Sequence, residues 1–548
     1  MTSKLLPALL CIGLTGCAAR VAPQGKQTAP ATQPSVSGEP TTAKAPGLHV
    51  LNVRDFGAKG DGQAIDTPAI NEAIIAANAA GGGTVHFPAG TYLAASIRLK
   101  SKVTLYLEAG SVIEAADHRV APADPPETRP EIQTRYQDFG HSYFQNSLIW
   151  GEKLHDVAIL GPGLIHGKGL ESGVNPYYDR AKGEREYTSM SKGAGNKAIS
   201  LRECTNVTLR DFSILHGGWF AILATGINNL TIDNLKIDTN RDGIDIDVCR
   251  NVRITNTSVN SPWDDGICLK ASFALGYAQA CENITISDCL LAGNFIEGTL
   301  IDGTFKRPPP EYRSYRTGRI KFGTESNGDF KNITITNCVF DESRGIAIES
   351  VDGSHIEDVT ISNIAMRNVP NSPIFLRLGS RLRGPGESTV VGSIKRVNIS
   401  NVVASGVRRG LGSIIAGIPG HPVEDITFSN LHFIHEGGGT EEQANRIPPE
   451  REKDYPEPGM FGATPGYGLF VRHARNVVLN NISFEIAKPD HRAPFAFTDV
   501  TGVRVHASAW QKSIAGHSFH LRDVNDLRLF DCASLPDQTV EKAADERR

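Results

Sequence analysis

The chain has 548 residues, with 56 Lys and Arg against 60 Asp and Glu, a formal net charge of −4. A balance this close to neutral argues against the basic surface of a nucleic-acid binder and against a long acidic disordered tail. Hydrophobic residues at 40% and charged residues at 21% are globular proportions, and 55 Gly against 4 Met favours turns and strands over helices.

At the N-terminus Lys4 supplies a positive charge, and Leu5 to Leu14 is an apolar stretch too short to span a bilayer. Leu14-Thr15-Gly16-Cys17 resembles the lipobox of bacterial lipoproteins. That resemblance implies lipidation at Cys17. Ala18 in the next position resembles cargo sent to the outer membrane, facing either the periplasm or the surface. The alternative is an ordinary signal peptide that happens to contain Cys17. Residues 18–47 are rich in Ala, Pro, Thr, Gln and Ser, cannot bury a core, and read as a flexible tether. The expected division is a signal over 1–17, a linker over 18–47, one folded domain over 48–535, and a charged, frayed tail over 536–548.

Asp66-Thr67-Pro68, followed by Ala69-Ile70-Asn71-Glu72-Ala73-Ile74-Ile75, predicts an amphipathic helix with Thr67 as N-cap and Pro68 as first helical residue. From there on one short pattern recurs: a polar residue, then an alternating apolar strand, then Asn or Asp. It appears at Asn206-Val207-Thr208-Leu209, Asn229-Leu230-Thr231-Ile232, Asn251-Val252-Arg253-Ile254 and Asn283-Ile284-Thr285-Ile286, and continues to Asp526-Leu527. Val207 to Leu230 is 23 residues and Leu230 to Val252 is 22, with longer gaps later. Short period-2 segments are strands, and a fixed period in the twenties is a solenoid. The expected fold is all-β: a single-stranded right-handed parallel β-helix, its N-terminal end covered by the helix.

Two further registers support this. Four residues after the first apolar position of each repeat stand Asp211, Asn234, Asn256, Asp288, Asn337, Asn363, Asn401, Asn430, Asn481 and Asp531, as a stacked amide ladder would require. Cysteines also keep register: Cys204, Cys249 and Cys281 three before that position, Cys289, Cys338 and Cys532 five after it. They read as small stacking residues, and Cys268 lies on a strand of its own.

One pair of turns carries chemistry. Asn240-Arg241-Asp242-Gly243 ends one coil and Trp263-Asp264-Asp265-Gly266 ends the next. Aligning the glycines stacks Asp242 on Asp265, while aligning the preceding apolar positions stacks Asp242 on Asp264. Either way three carboxylates come together, because adjacent coils lie about 4.8 Å apart. Like charges this close push at least one proton affinity up, which equips a site with both a donor and a base. A wider spacing would favour inverting glycoside hydrolysis. A turn-forming Asp-Gly pair occurring twice is the structural alternative.

Val53-Arg54-Asp55-Phe56-Gly57-Ala58-Lys59-Gly60-Asp61-Gly62 resembles the N-terminal signature of pectin-degrading β-helices. Asn240-Arg241-Asp242-Gly243 resembles the Asn-Thr-Asp-Gly motif of glycoside hydrolase family 28, and Asp264-Asp265-Gly266 its Asp-Asp motif. The likeness runs from about Leu51 into the late 520s. It implies an inverting hydrolase of galacturonan or rhamnogalacturonan-like pectin, in which Asp264 protonates the leaving oxygen while Asp242 and Asp265 position and deprotonate water. No metal or organic cofactor is implied. The partners are a polysaccharide or oligosaccharide and, through the lipid, a membrane, with the protein acting as a monomer.

The departures matter equally. Gly318 stands where the family carries the His of Gly-His-Gly, and Ala347-Ile348-Glu349 stands where it carries Arg-Ile-Lys. Glu349 is expected to repel a galacturonate carboxylate. Either the sugar at that subsite is neutral, or Arg319 and Lys321 replace the lost charges as substrate ligands. Lys270 and Asp245 are further candidates to bind hydroxyls, with Asp245 and Asp247 as a solvated face the alternative. Lys306 to Arg316, rich in Arg, Tyr and Pro, reads as a lid or subsite wall, and Arg377 and Arg472 are placed to reach a groove. Competing readings are a calcium-dependent polysaccharide lyase on the same fold, with Lys270 or Arg319 as base, and a non-catalytic carbohydrate-binding β-helix.

Overall fold

A computed structural model describes residues 49–548 apart from 128, 130–135, 138, 172–191, 295–296, 308–316, 387–388 and 409. The expected signal, Cys17 and the linker lie outside the described residues, as does most of the Arg- and Tyr-rich insertion.

Thirty-five strands among the described residues join in one continuous sheet, wound as a right-handed parallel β-helix. Each strand pairs with the equivalent strand of the next coil: Val207 lies opposite Leu230, and Leu230 opposite Val252. Alternation turns Val, Ile and Leu of every coil inward, so that Val207, Leu230, Val252 and Ile284 form one buried column. Each such side chain contributes about 1.5–3 kcal/mol on burial, and no coil can bury its own face alone.

The polar ladders follow from backbone geometry. Asn337, Asn363, Asn401 and Asn430 sit at φ of 55°, 57°, 55° and 55°. That left-handed conformation costs most residues about 1–2 kcal/mol, which Asn and Asp partly offset with short local hydrogen bonds. Their amides then donate from coil to coil: Asn363 to Asn337 at 3.2 Å, Asn401 to Asn363 at 3.0 Å, Asn430 to Asn401 at 2.8 Å. Asn256 departs, donating to Asp233 at 3.0 Å. A second ladder runs through the second residue of strands such as Thr205–Arg210 and Asn228–Asp233, for instance Asn229 to Asn206 at 2.9 Å. The seven cysteines from Cys204 to Cys532 are all free and buried.

The helix at Thr67–Ala79 buries Ile70, Ala73, Ile74 and Ala77 against the first coil. Its N-cap is Asp66 rather than Thr67, whose hydroxyl instead accepts the Ala95 N–H at 2.8 Å. The C-terminal segment is also not a frayed tail. Gln538–Arg547 is a strand whose pairing with Phe519–Phe530 is the one antiparallel pairing among the described strands, with Val540 opposite Leu527 and Ala543 opposite Val524. Those two apolar residues, three apart like their partners Leu527 and Val524, reach the core, and the strand covers an edge that would otherwise stay open. No helix among the described residues is long and apolar enough to cross a membrane.

One of the three sheet faces differs from the others. Strands such as Asn228–Asp233 alternate buried and exposed residues, whereas Phe220–Thr225, Asp242–Asp247, Ile267–Ala271, Ile320–Ser326 and Ile346–Ser350 are buried at every position. Their outward residues are largely polar or charged, so inserted chain covers them. One covering segment is the turn of helix at Phe139–Ser142. A second runs from Glu436 to Pro465 between the strands Val423–His435 and Gly466–Ile486.

Candidate active site

Asp242 opens the strand Asp242–Asp247, and Asp264 and Asp265 lie in the turn before Ile267–Ala271. Ile244 pairs with Ile267, so Gly243 lies opposite Gly266 and Asp242 opposite Asp265. The glycine register is therefore the one adopted. Gly243 is required by close approach: a Cβ there would stand 2.4 Å from the Gly266 carbonyl oxygen and 2.5 Å from Val259 Cγ1. The Asp265 N–H donates to Asp242 Oδ1 and to Asp264 Oδ1, each at 3.1 Å. Carboxylate oxygens of all three lie within 4.8 Å of one another.

The three sit in different fields. Burial, then the neighbouring Asp245 and Asp264, raises the Asp242 carboxyl well above its ordinary range. Burial alone would raise Asp265 too, but Arg319 and Lys321 outweigh it and hold Asp265 low. Arg319 Nε donates to Asp265 Oδ1 at 2.6 Å, and Lys321 Nζ lies 3.1 Å from Oδ2. Asp264 is the member open to solvent, with its side chain 27% exposed and Arg241 Nη2 on Oδ2 at 2.9 Å. The set has the spacing to hold a cation, yet the protein already supplies positive charge through Arg241, Arg319 and Lys321.

Arg319 and Lys321 thus grip a carboxylate of the protein, and both are buried instead of facing an open groove. Lys270 and Asp245 are likewise buried, and neither Asp245 nor Asp247 is a solvated face. Lys270 Nζ lies 3.5 Å from Asp245 Oδ2 and donates to Glu325 Oε2 at 3.3 Å. Burial would lower this ammonium, but Asp245 foremost, then Glu325, keeps it charged. His141, which sequence reading missed, comes from the covering helix to Asp245 Oδ2 at 3.0 Å and packs edge-on against Phe220. Nothing local in the sequence points to it, because 104 residues separate the pair.

The second covering segment was also missed, although a signal existed. Asn430 and Asn481 are ladder neighbours 51 residues apart, more than twice the early coil length, so about one coil's worth of chain is inserted there. The expected groove residues Arg377 and Arg472 anchor it. Arg377 donates to the Gly417 and Glu450 carbonyls at 2.9 Å, and Arg472 to those of Pro448 and Pro449 at 3.0 Å. Its tip delivers Tyr455, whose hydroxyl accepts from Lys321 at 2.9 Å, and Glu457, which accepts from Arg319 at 2.6 Å and from Arg344 at 3.3 Å.

Gly318 has φ +57°, and a Cβ there would stand 2.2 Å from the Ala292 carbonyl oxygen. No side chain fits, so the missing His is a property of this backbone. Glu349 does not face a substrate: it is fully buried, neither carboxylate oxygen has a hydrogen-bond partner, and Lys321 Nζ lies 3.9 Å away. Burial raises its carboxyl to about 7.

The comparisons agree with this architecture. A family described as rhamnogalacturonase A/epimerase, pectate lyase-like, matches residues 50–121, and one described as right-handed beta helix region matches residues 177–307. A probable polygalacturonase of Vitis vinifera is 23% identical over 400 residues, covering 70% of this chain and 74% of that protein. An exopolygalacturonase structure from Thermotoga maritima superposes with TM-score 0.53 at 21% identity, covering 71% of this chain and 87% of that one. A family 28 exopolygalacturonase from Yersinia enterocolitica gives TM-score 0.53 at 16% identity, covering 90% and 79%. The coil stack and these matches show a right-handed parallel β-helix, and the chain is similar to polygalacturonases and to a family 28 exopolygalacturonase of that fold.

Proposed function

We propose that this protein is an inverting glycoside hydrolase of a pectin-type polysaccharide or oligosaccharide. The observation that carries the reading is the unequal trio: three carboxylates within 4.8 Å, one of them clamped by Arg319 and Lys321. Asp264, the solvent-facing member, donates a proton to the departing glycosidic oxygen as the C–O bond breaks. Asp242 and Asp265 hold a water between adjacent coils, and Asp265, the one kept ionised, takes its proton as its oxygen attacks the anomeric carbon. Arg319 and Lys321 keep Asp265 ionised for that task.

The oxygens lie closer than the roughly 6.5–9.5 Å between carboxyls usual for inverting enzymes. Spacing therefore does not carry inversion, which rests on the family likeness and on the two carboxylates that share the water. Burial of the catalytic sheet face on both sides of the trio, with exo-acting proteins among the structural neighbours, supports cleavage near chain ends. Incubation with polygalacturonan, rhamnogalacturonan backbone and branched pectic oligosaccharides, followed by proton NMR, tests both points. The expected first product is a short saccharide with the anomeric configuration opposite to the linkage cut. Retention of configuration, or an unsaturated sugar, would defeat the proposal.

We also propose that Cys17 carries the lipid that holds the enzyme at the cell envelope. Cys17→Ser is expected to move the protein from the detergent phase to the aqueous phase of a Triton X-114 partition. Unchanged partition would refute the anchor.

A further inference from the structure

Glu457 stands where an anionic ligand would stand. Its carboxylate bridges two guanidiniums, with Oε1 2.6 Å from Arg319 Nη2 and Oε2 3.3 Å from Arg344 Nη1. The same Arg319 grips Asp265 from its other edge, so Glu457 lies one guanidinium away from the trio. The Glu457 side chain is 28% exposed, at the wall of the site and not beneath it. The cations beside it are engaged by carboxylates of the protein, Lys321 by Asp265 and both Arg319 and Arg344 by Glu457, and near the trio Arg241 is engaged by Asp264 and Lys270 by Glu325.

The arm that brings Glu457 is fixed. Arg377 and Arg472 hold its backbone carbonyls, Ser380 N–H donates to the Glu452 carbonyl at 2.7 Å, and Phe461 packs over Arg377 at 5.3 Å. Pro448, Pro449, Pro456 and Pro458 restrict its backbone further. Displacing Glu457 would thus leave a guanidinium pair to be satisfied by the newcomer and a carboxylate to be moved on a stiff arm.

We propose that Glu457 is a built-in carboxylate that fills the anion-binding spot beside Asp265, so that the sugar held there is accepted as an uncharged ring or ester in preference to a free uronate. This rests on the hydrolase reading and sets its substrate class. Glu349, buried, does not deliver the repulsion. Glu457 does, from the wall.

The probes are an oligogalacturonide and its fully methyl-esterified counterpart, which differ only in charge and methyl groups. KM and kcat are measured for wild type, the isosteric Glu457→Gln and the exposed control Glu442→Gln. Wild type is expected to show a KM for the free acid at least about tenfold above that for the ester, and Glu457→Gln to narrow the gap by about tenfold. Glu442→Gln should leave the ratio alone. The inference is overturned if wild type takes the free acid as well as the ester, if Glu457→Gln leaves the ratio unmoved, or if calorimetry shows neither saccharide bound by either protein. Asp264-dependent cleavage of the free acid with a KM no higher than that for the ester would sink this inference and leave the hydrolase reading standing. An unsaturated sugar among the products of either probe would sink the hydrolase reading.

Discussion

Asp264→Asn is expected to lower kcat by about a thousandfold on whichever pectic substrate the wild type cleaves, while leaving the protein folded. The loss follows from the proton. Asp264 is the trio's solvent-facing carboxyl, and an amide cannot protonate a leaving oxygen. The fold should survive because the amide oxygen can still accept the Asp265 N–H that Asp264 Oδ1 accepts at 3.1 Å. What is removed is a part-exposed ion pair with Arg241, 29% and 27% exposed on its two sides, and such pairs contribute little to stability. Reducing-end assays against thermal melts separate the two effects. Activity within tenfold of wild type would take the acid role away from Asp264.

Arg319→Gln should produce the second largest effect, and on two readouts at once. Arg319 joins Asp265 and Glu457, both at 2.6 Å, from a buried position. Removing it leaves Asp265 buried with Lys321 as its nearest cation, at a cost of about 3 kcal/mol. The pH profile gives the sharper test. In wild type Asp265 is held below the usual carboxylate range, so its ionised form is present above that low value and is lost only as pH falls through it. Without Arg319 the burial that raises Asp265 is less opposed, its proton affinity rises, and the acid limb of the activity profile moves to higher pH. Arg319→Lys restores charge but not the two-sided fork, and should fall between. An acid limb that stays in place would show that Asp265 does not act as an ionised base.

The same physics explains what could be read without coordinates. The β-helix was legible because every coil meets only its neighbours, so an early period of 22 or 23 residues and the Asn or Asp at the left-handed corners of the ladder encode the stack locally. Asp242, Asp264 and Asp265 were legible for the same reason: two Asp-Gly turns one coil apart must stack. Their register was not, because one residue of difference between the turns leaves two alignments, and the contact of Gly243 with the Gly266 carbonyl decides between them.

The alternation in Asp242–Asp247 and Ile346–Ser350 reads as a strand with a solvated face, yet those faces are buried. Period-2 patterning reports which side faces the core, not whether inserted chain returns to cover the other side. His141 reaches Asp245 across 104 residues and Glu457 reaches Arg319 across 138, so neither contact leaves a trace in any local pattern. The sequence by itself determined the solenoid, its ladders, its N-terminal helix and the meeting of three carboxylates, since all of these arise from the repeat of neighbouring coils. Tertiary structure alone decided which carboxylates pair, that Arg319 and Lys321 serve Asp265, and that a carboxylate of the protein already occupies the cations beside it. Those outcomes depend on where long insertions come to rest, and that is settled by packing and charge pairing between residues far apart in the chain.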